Sequence, residues 1–336
     1  MKTGVAAASS TIAPRADRRH TDLWIRGPTP RAGPLHFERS RVVFEFEHPA
    51  WPIEDSARAA AREELDRAIG EVAETGFEIH ETVRHVRRRL KRVRAVIGLI
   101  QPAFPDHRAE SRLLRELGGE ISALRDASAL VDAVDVLLRG ADGDVAGALH
   151  AARRRFAAAA AGADTGLDRD SFLGALRGKL RDARVRAEMW ELAADGGAAV
   201  VPGFVGTYAK ARRGYRMMQK APTDEHLHEW RKAVKFHWAQ LGLLRRFAPE
   251  FAERRRDAAK RLAETLGNHH NLCVLRSALS AEEIAQMGTA LEVKLARLQR
   301  RAARLGRQLF ADRPKEVRKR WVSTFADRDA VLALGR

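Results

Sequence analysis

The sequence predicts an all-α protein made of helical bundles. Three observations carry this prediction. Ala, Arg, Leu and Glu, which favour helices, are abundant, while aromatic residues make up only 6% of the chain. Long amphipathic stretches alternate with short breakers of the kind that join antiparallel helices. A basic helical stretch near residue 90 also recurs near residue 235, which indicates an internal repeat.

The N-terminal segment is expected to differ from the rest. Residues 1–50 are predicted to be mostly disordered, because Pro, Gly and Arg recur without a sustained period up to residue 40. Residues 41–47 alternate as a strand would, but no second strand follows, so an extended lead-in is expected. A helix capped by Asp55 or Ser56 is predicted to run to about residue 75.

The helical body is predicted at 51–312, with a first bundle over about 55–195 and a second over about 200–312. Residues 313–336 form a predicted tail in which a short helix near 314–325 is allowed. The helices are predicted at 79–100, 108–117, 121–138, 145–161, 172–192, 204–218, 224–247, 250–266, 270–279 and 282–309. Asp126 and Asn271 are assigned as helix-start caps.

The repeat relates residues 83–100 to residues 227–244. Under this alignment Arg87 matches Arg231, Arg88 matches Lys232, and Lys91 matches Lys235. The pair Leu-Gly at 117–118 recurs at 266–267. Each half is therefore predicted to be a helical bundle that opens with a basic helix.

The charge balance predicts an acidic partner. The chain has 61 Lys and Arg against 44 Asp and Glu, a net charge of +17. Such an excess repels itself, so nucleic acid, an anionic membrane surface and polyphosphate are the candidate partners. The preference for Arg over Lys favours phosphate, because the guanidinium group can bind phosphate oxygens through two parallel hydrogen bonds.

Several classes of protein are excluded on composition. Cys273 is the one cysteine, which argues against a disulfide framework and against a cysteine-based zinc site. The N-terminus has no apolar run typical of a signal peptide, and the longest apolar run, near 95–100, is too short to cross a bilayer. A cytoplasmic protein without membrane insertion is expected. No cofactor is expected either.

Two rows of cations lie at helical spacing. The first basic row is Arg84, Arg87, Arg88 and Lys91, and the second basic row is His228, Arg231, Lys232 and Lys235. Their spacing of three, four and seven residues places each row on one helix face, where like charges repel. Solvated faces of basic helices are the alternative interpretation. The same row in both halves favours binding of a polyanion.

Other histidines and the tryptophans are assigned structural roles. His237, His269 and His270 are given core or capping roles, and no metal site is predicted. Adjacent histidines point to different faces, and no nearby Cys or acidic cluster is expected to complete a coordination set. Trp190, Trp230 and Trp238 are predicted to lie in the core.

The motifs resemble those of the CHAD domain, the conserved-histidine α-helical domain. The second half carries HEWRKAVK at 228–235, with PTDE before it at 222–225 and LGNHHNLCVL at 266–275. The first half carries VRRRLKRVRA at 86–95, IQPAF at 100–104 and LRDA at 124–127. The resemblance covers roughly residues 55–312. It implies two antiparallel four-helix bundles related by a pseudo-twofold axis, whose basic faces converge on a groove that binds inorganic polyphosphate; some relatives associate with polyphosphate granules.

Carried over by position, the resemblance implies that both basic rows contact the ligand. Tyr208 and Arg212 also fall at family positions, and the predicted set of polyphosphate ligands further includes Arg94, Arg297 and Arg301. This chain has Arg84 where the family pattern has a histidine. His85, the next residue, is rotated by about 100° on the helix and is not expected to replace it.

Two further groups of basic residues are predicted either to line the same groove or to be solvent-exposed. They are the stripe of Lys294, Arg297, Arg301 and Arg304, and the arginines at 153–155.

The leading functional interpretation is non-catalytic binding of polyphosphate. Nucleic acid is the alternative, although single-strand binders add exposed aromatic side chains that are not evident here. An enzyme is not predicted, because the sequence has no P-loop and no acidic cluster on its basic faces. An accessory subunit of a polyphosphate-metabolising enzyme is the second alternative.

Overall fold

The structure is a computed structural model that describes residues 44–74, 78–139, 141, 143–162 and 168–334, without the side chains of 123–128 and 329–334. Residues Val43–Arg336 form one compact unit. The predictions for residues 1–43 lie outside the described residues. Eleven α-helices account for nearly all of the described residues, and no strand occurs among them. The prediction of an all-α fold is therefore confirmed.

The helices follow the chain as α1 (Ile53–Ala73), α2 (Ile79–Ile100), α3 (His107–Glu120), α4 (Ala123–Leu138), α5 (Gly143–Gly162), α6 (Arg169–Glu188), α7 (Gly196–Lys220), α8 (Asp224–Leu243), α9 (Pro249–Ala278), α10 (Ala281–Leu309) and α11 (Pro314–Leu334). A single 3-10 turn, Arg245–Phe247, follows α8. Among the described residues, no helix combines the length and apolar character required to cross a bilayer.

Helix α1 is capped by a distant side chain. The helix begins at Ile53, and the backbone N–H of Ile53 donates to Asp195 Oδ1 at 2.6 Å. Asp55 and Ser56 lie inside the first turn, so the prediction that one of them caps the helix is wrong. The lead-in before α1 packs on the end of α8, where the backbone N–H of Phe46 donates to the Leu243 carbonyl at 3.0 Å.

Helix α9 is one helix of 30 residues where the sequence predicted two. Gly267 lies in its interior, at a cost of about 1 kcal/mol relative to alanine. Burial of Leu262, Leu266 and Leu272 on both sides of this glycine outweighs that cost. Asn271 therefore lies within α9, and its assignment as a helix-start cap is wrong. Helix α3 likewise continues through 118–119, which were expected to separate two helices.

The ends of the chain's second half are more structured than predicted. Helix α7 starts at Gly196, earlier than the predicted start at 204, and the added turns bury Val200 and Val201. Helix α11 replaces the predicted tail and extends to Leu334. Its Trp321 is completely buried against Phe204 of α7, with ring centroids 5.1 Å apart. The C-terminal segment is therefore part of the core.

The buried apolar residues form two cores. The larger core takes residues from α1, α2, α3 and α6 together with α7, α8, α11, the first part of α9 and the end of α10. The smaller core joins α4 and α5 to the second part of α9 and the first part of α10. Each core contains residues from both halves of the chain. The division into bundles at 55–195 and 200–312 stays a prediction.

Close backbone contact joins the two halves at α2 and α7. A Cβ atom at Gly203 of α7 would overlap the carbonyl oxygen of Leu99 in α2. Glycine is therefore required here, because any side chain would push the two helices apart. This contact fixes α2, which carries the first basic row, against the helix that precedes α8.

Candidate anion-binding site

Helices α2 and α8 hold the two basic rows because each buries an apolar stripe beside its cations. In α2 the stripe includes Val86, Leu90 and Val93, all buried. Helix α8 begins at a cap in which the Thr223 hydroxyl accepts a hydrogen bond from the backbone N–H of His226 at 3.2 Å. Burial of one face fixes the rotation of each helix and therefore the direction of its basic row.

The two basic helices contact each other. The Gln240 side chain of α8 donates through Nε2 to the Ala95 carbonyl of α2 at 3.4 Å. The Arg94 guanidinium lies 5.6 Å from the centroid of the Phe236 ring, a cation–π distance. Under the alignment of the repeat, Ala95 corresponds to Ala239, which is the neighbour of Gln240. The helices therefore meet at nearly equivalent positions, and each basic row begins at this contact and runs toward the start of its helix.

Three of the four cations of the first basic row are exposed, namely Arg84, Arg88 and Lys91. Arg84 has a distant ion-pair partner in Asp132, with 3.9 Å between Nη1 and Oδ2. Arg87 is less exposed than these three residues. It is half-buried, and its Nη1 donates to the Gly118 carbonyl at 2.8 Å and to the Ser122 hydroxyl. Because those groups lie at the C-terminal end of α3, Arg87 fastens α2 to that end.

Positive charges lie close together along the first basic row. Partial desolvation lowers the pKa of Arg88, and the charges of Arg89, Arg92 and Arg84 lower it further. The pKa of His85 is lowered in the same way, first by desolvation and then by Arg88. The row therefore disfavours additional positive charge and would gain from a bound anion.

Two further arginines of α2 are used to hold the fold. Arg89 and Arg92 pair with Glu64 of α1, at 3.2 Å and 2.9 Å, and Glu64 is completely buried. Glu71 of α1 accepts from Arg89 at 2.8 Å. The buried carboxylates of α1 therefore take up the cations on one side of α2 and leave the first basic row on the other.

Arg94 lies at the contact between α2 and α8. Its side chain is half-buried, and its Nε has no hydrogen-bond partner among the described residues. Burial lowers its pKa, and the charge of Arg115 in α3 lowers it further. Arg115 was not among the predicted site residues, because periodicity within α2 cannot show which cation of another helix lies beside it.

The second basic row includes a pair of histidines. His228 Nδ1 of α8 lies 3.2 Å from His270 Nδ1 of α9, so one ring donates and the other accepts. Burial, Arg231 and His228 lower the pKa of His270 to about 4, and burial followed by Lys232 lowers the pKa of His228. Both rings are therefore neutral near pH 7. His270, expected to have a core or capping role, is half-buried and hydrogen-bonds a member of the second basic row.

The remaining members of the second basic row differ in exposure. Lys232 is exposed and pairs with Glu229, with 2.6 Å between Nζ and Oε1. Such exposed pairs contribute little and are readily exchanged for another anion. Arg231 and Lys235 are half-buried, and both add positive charge around His270.

The replacement of the family histidine by Arg84 has the geometry expected from the sequence. Arg84 is exposed on the side of α4, while His85 is half-buried with its Nδ1 4.0 Å from Glu71 Oε1 of α1. The two side chains face different helices, so His85 does not take the place of the missing imidazole.

Two predicted ligand residues form hydrogen bonds within the fold. Tyr208 is completely buried, and its hydroxyl donates to the Asp312 carbonyl at 2.8 Å. It has no surface through which to contact a ligand, so its prediction as a ligand residue is wrong. Arg212 is half-buried and donates through Nε to the Phe310 carbonyl at 3.0 Å, which ties α7 to the end of α10.

The two groups of basic residues that were predicted on other helices differ in their ion pairs. Arg297, Arg301 and Arg304 are exposed on α10 and form no ion pair with a described residue, and Lys294 is half-buried beside them. In α5, Arg153 pairs with Asp135 at 2.7 Å and Arg155 with Glu283 at 2.7 Å. Arg153 and Arg155 therefore link α5 to α4 and α10.

Most of the predicted structural residues lie where expected. Trp190 and Trp230 are buried, and Trp238 packs partly buried against the larger core. His237 is completely buried in the core, as its assigned role requires. His269 does not fit the expectation that no Cys or acid would lie near it. Its Nδ1 is 3.4 Å from Cys273 Sγ, and the thiol donates to Asp224 Oδ1 at 3.3 Å.

The described residues form an all-helical unit with one basic helix in each half of the chain. The family model of the CHAD domain matches residues 57–280, and the chain belongs to this family. PptA from Streptomyces chartreusis is similar in structure, with 16% identity, a TM-score of 0.46, and coverage of 78% of this chain and 98% of that chain. The CHAD domain from the plant Ricinus communis is similar with 18% identity, a TM-score of 0.48, and coverage of 84% and 99%. Comparison with curated proteins gave no match.

Proposed function

We propose that this chain binds inorganic polyphosphate, without catalysing a reaction on it, through the basic rows of α2 and α8. The observation that carries the proposal is the contact between these two helices at nearly equivalent positions of the repeat. A linear polyanion that follows one row can pass Arg94 and continue along the other. In this proposal α2 and α8 belong to two four-helix bundles related by a pseudo-twofold axis near that contact.

The charge pattern supports a ligand with regularly spaced charges. Burial lowers the pKa values of Arg88, Arg94 and His270, and neighbouring cations lower them further. A phosphate chain would replace this repulsion with charge-assisted hydrogen bonds, which are shorter and stronger than neutral ones. Membership of the CHAD family supports the same ligand, since the resemblance to that family implies polyphosphate binding.

The scarcity of exposed aromatic side chains among the described residues argues for polyphosphate over single-stranded nucleic acid. Trp51 is the one aromatic among the large hydrophobic side chains exposed in the described part of the chain. Binders of single strands stack successive bases on exposed aromatic rings, at about 1–3 kcal/mol per base. The rows on α2 and α8 offer phosphate contacts without such stacking surfaces.

Charge reversal of exposed row residues tests the proposal. The variant R88E/K232E changes one exposed cation in each row, neither of which holds another helix in place. Loss of two charged contacts, at about 1.5–3 kcal/mol each, predicts a decrease in polyphosphate affinity of at least about 100-fold. The matched control R181E/K319E carries the same change in net charge at exposed positions of α6 and α11.

Titration calorimetry with polyphosphate of defined length measures these affinities, and circular dichroism checks that each variant keeps its helical content. Equal weakening by both double variants would show that only total charge matters, which contradicts a site on the rows. Displacement of polyphosphate by single-stranded DNA at equal phosphate concentration would instead favour the nucleic-acid alternative.

The biological consequences of binding belong to the same proposal. Association with polyphosphate granules, or with an enzyme that metabolises polyphosphate, would use the bound polyphosphate as the link. Fluorescence localisation in phosphate-loaded cells tests granule association, with R88E/K232E as the control that should not localise. Release of inorganic phosphate from polyphosphate on incubation with the protein alone would contradict non-catalytic binding.

A further inference from the structure

Three side chains with metal-binding atoms converge where α8 begins beside α9. His269 and Cys273 are four residues apart on α9, so they lie on the same face, and Asp224 is the first residue of α8. Cys273 Sγ lies 3.3 Å from Asp224 Oδ1 and 3.4 Å from His269 Nδ1. The ligand atoms of all three lie within 4.8 Å of one another.

We propose that Asp224, His269 and Cys273 form a binding site for a divalent transition-metal ion of the Zn²⁺ type. The site is separate from polyphosphate binding and does not depend on it. Tetrahedral zinc, with bonds of about 2.3 Å to sulfur and about 2.0–2.1 Å to nitrogen or oxygen, places sulfur about 3.5 Å from each other ligand atom. Both separations from Cys273 Sγ, 3.3 Å and 3.4 Å, agree with that value within about 0.2 Å.

The surroundings orient each ligand. Arg276 donates to Asp224 Oδ2, which leaves Oδ1 directed at the sulfur, and Glu292 holds Arg276 at 2.9 Å. His269 is buried, with its Nδ1 directed at Cys273 Sγ. Hydrogen-bonded outer partners of this kind fix the orientation of metal ligands.

The hydrogen bond of the sulfur fits a site that exchanges a proton for a metal. The Cys273 thiol donates to Asp224 Oδ1 at 3.3 Å, and this carboxylate would share the metal. Binding replaces this hydrogen bond with a metal–sulfur and a metal–oxygen bond and releases one proton. Three protein ligands leave the fourth tetrahedral position to water.

Cobalt provides the sharpest test, because Cys273 is the single cysteine of the chain. Any thiolate-to-Co²⁺ charge-transfer absorption must therefore arise from this residue. The chelator-treated full chain is titrated with Co²⁺ and then with Zn²⁺. We expect a near-ultraviolet band that saturates at one equivalent, disappears when Zn²⁺ displaces Co²⁺, and is absent from C273S.

Zinc affinity in competition with a chromophoric chelator tests the other two ligands. Loss of an outer partner weakens a metal site by about 10–100-fold, so H269Q and D224N should each weaken binding by more than about 100-fold. The matched controls are H150Q on α5 and D257N on α9, both at exposed positions. They should retain wild-type affinity.

The proposal is overturned if excess Co²⁺ produces no charge-transfer band, or if C273S binds Zn²⁺ as tightly as the wild type. Wild-type affinity in both H269Q and D224N would also overturn it. A second measurement needs no variant. Zn²⁺ should slow alkylation of Cys273 by iodoacetamide in the wild-type chain at least tenfold, and an unchanged rate would contradict the site.

Discussion

The buried imidazole of His237 makes the stability of the fold sensitive to acid. His237 is completely buried between aromatic rings, with centroids 5.1 Å from Phe204 and 5.4 Å from Tyr208. Neither ring nitrogen has a hydrogen-bond partner among the described residues. Burial, with a smaller contribution from the charge of Arg255, lowers the pKa of His237 from 6.5 to about 3.

The sign and size of the change in stability with pH follow from the pKa values of His237 in the unfolded and the folded chain. The folded pKa lies below the unfolded one, so the unfolded chain binds a proton at pH values where the folded chain does not. The stability from neutral His237 is present above pH 6.5 and is lost as the pH falls toward about 3. One proton corresponds to a slope of about 1.4 kcal/mol per pH unit, or a loss of roughly 2 kcal/mol between pH 7 and pH 5.

The substitution H237F removes the titrating group and keeps an aromatic ring. Urea unfolding at pH 7 and pH 5 gives the loss of unfolding free energy for each protein, and H237F should lose roughly 2 kcal/mol less than the wild type. A constant change in stability from repacking cancels in this difference. H150Q, at an exposed position of α5, controls for substitution of a histidine as such. Equal losses in wild type and H237F would refute the reasoning.

Three further predictions concern packing and are measured by urea unfolding. G203A should destabilise the protein by about 1–3 kcal/mol, because the added Cβ overlaps the Leu99 carbonyl. The control G206A, on the same helix, adds its Cβ in open space and should stabilise the protein by about 0.5–1 kcal/mol. Equal effects of the two substitutions would contradict the close approach of α7 to α2. Y208F should cost about 1 kcal/mol through loss of one hydrogen bond and leave polyphosphate affinity unchanged, and a large loss of affinity would return Tyr208 to the site. E64A should cost about 3 kcal/mol or more, because it removes a completely buried carboxylate that pairs with three arginines, and a loss below about 1 kcal/mol would argue against that role.

The sequence predicts α2 well because this helix has a strong apolar period, and it predicts the start of α8 at Asp224. The buried stripe of Val86, Leu90 and Val93 determines which face of α2 is exposed. The exposure of Arg88 and Lys91 follows from that rotation alone. This part of the candidate site can therefore be predicted from a single sequence, because it depends on local periodicity.

The residues that were predicted wrongly depend on contacts between distant segments. Tyr208 lies on a helix whose face is covered by residues more than 100 positions later, and Asp195 caps a helix 142 positions earlier. No local pattern identifies such partners. Gly267 is a different case, because its local signal predicts a break that burial of leucines on both sides overrides.

The cluster of Asp224, His269 and Cys273 shows the same limitation for chemistry. Cys273 and Asp224 are 49 positions apart and meet because α8 and α9 pack side by side. Spacing in the sequence relates only His269 and Cys273, through one helical turn. The histidine pair of His228 and His270 is likewise a product of packing.

The most direct test of the account is the salt dependence of polyphosphate binding in variants that neutralise one cation in each row. Each phosphate contact releases counterions, so the logarithm of the wild-type affinity should fall steeply with the logarithm of salt concentration. R88Q and K232Q should each make that slope shallower by about one, and the double variant by about two. A flat wild-type slope, or a slope that the double variant leaves unchanged, would contradict a polyphosphate chain held by both rows.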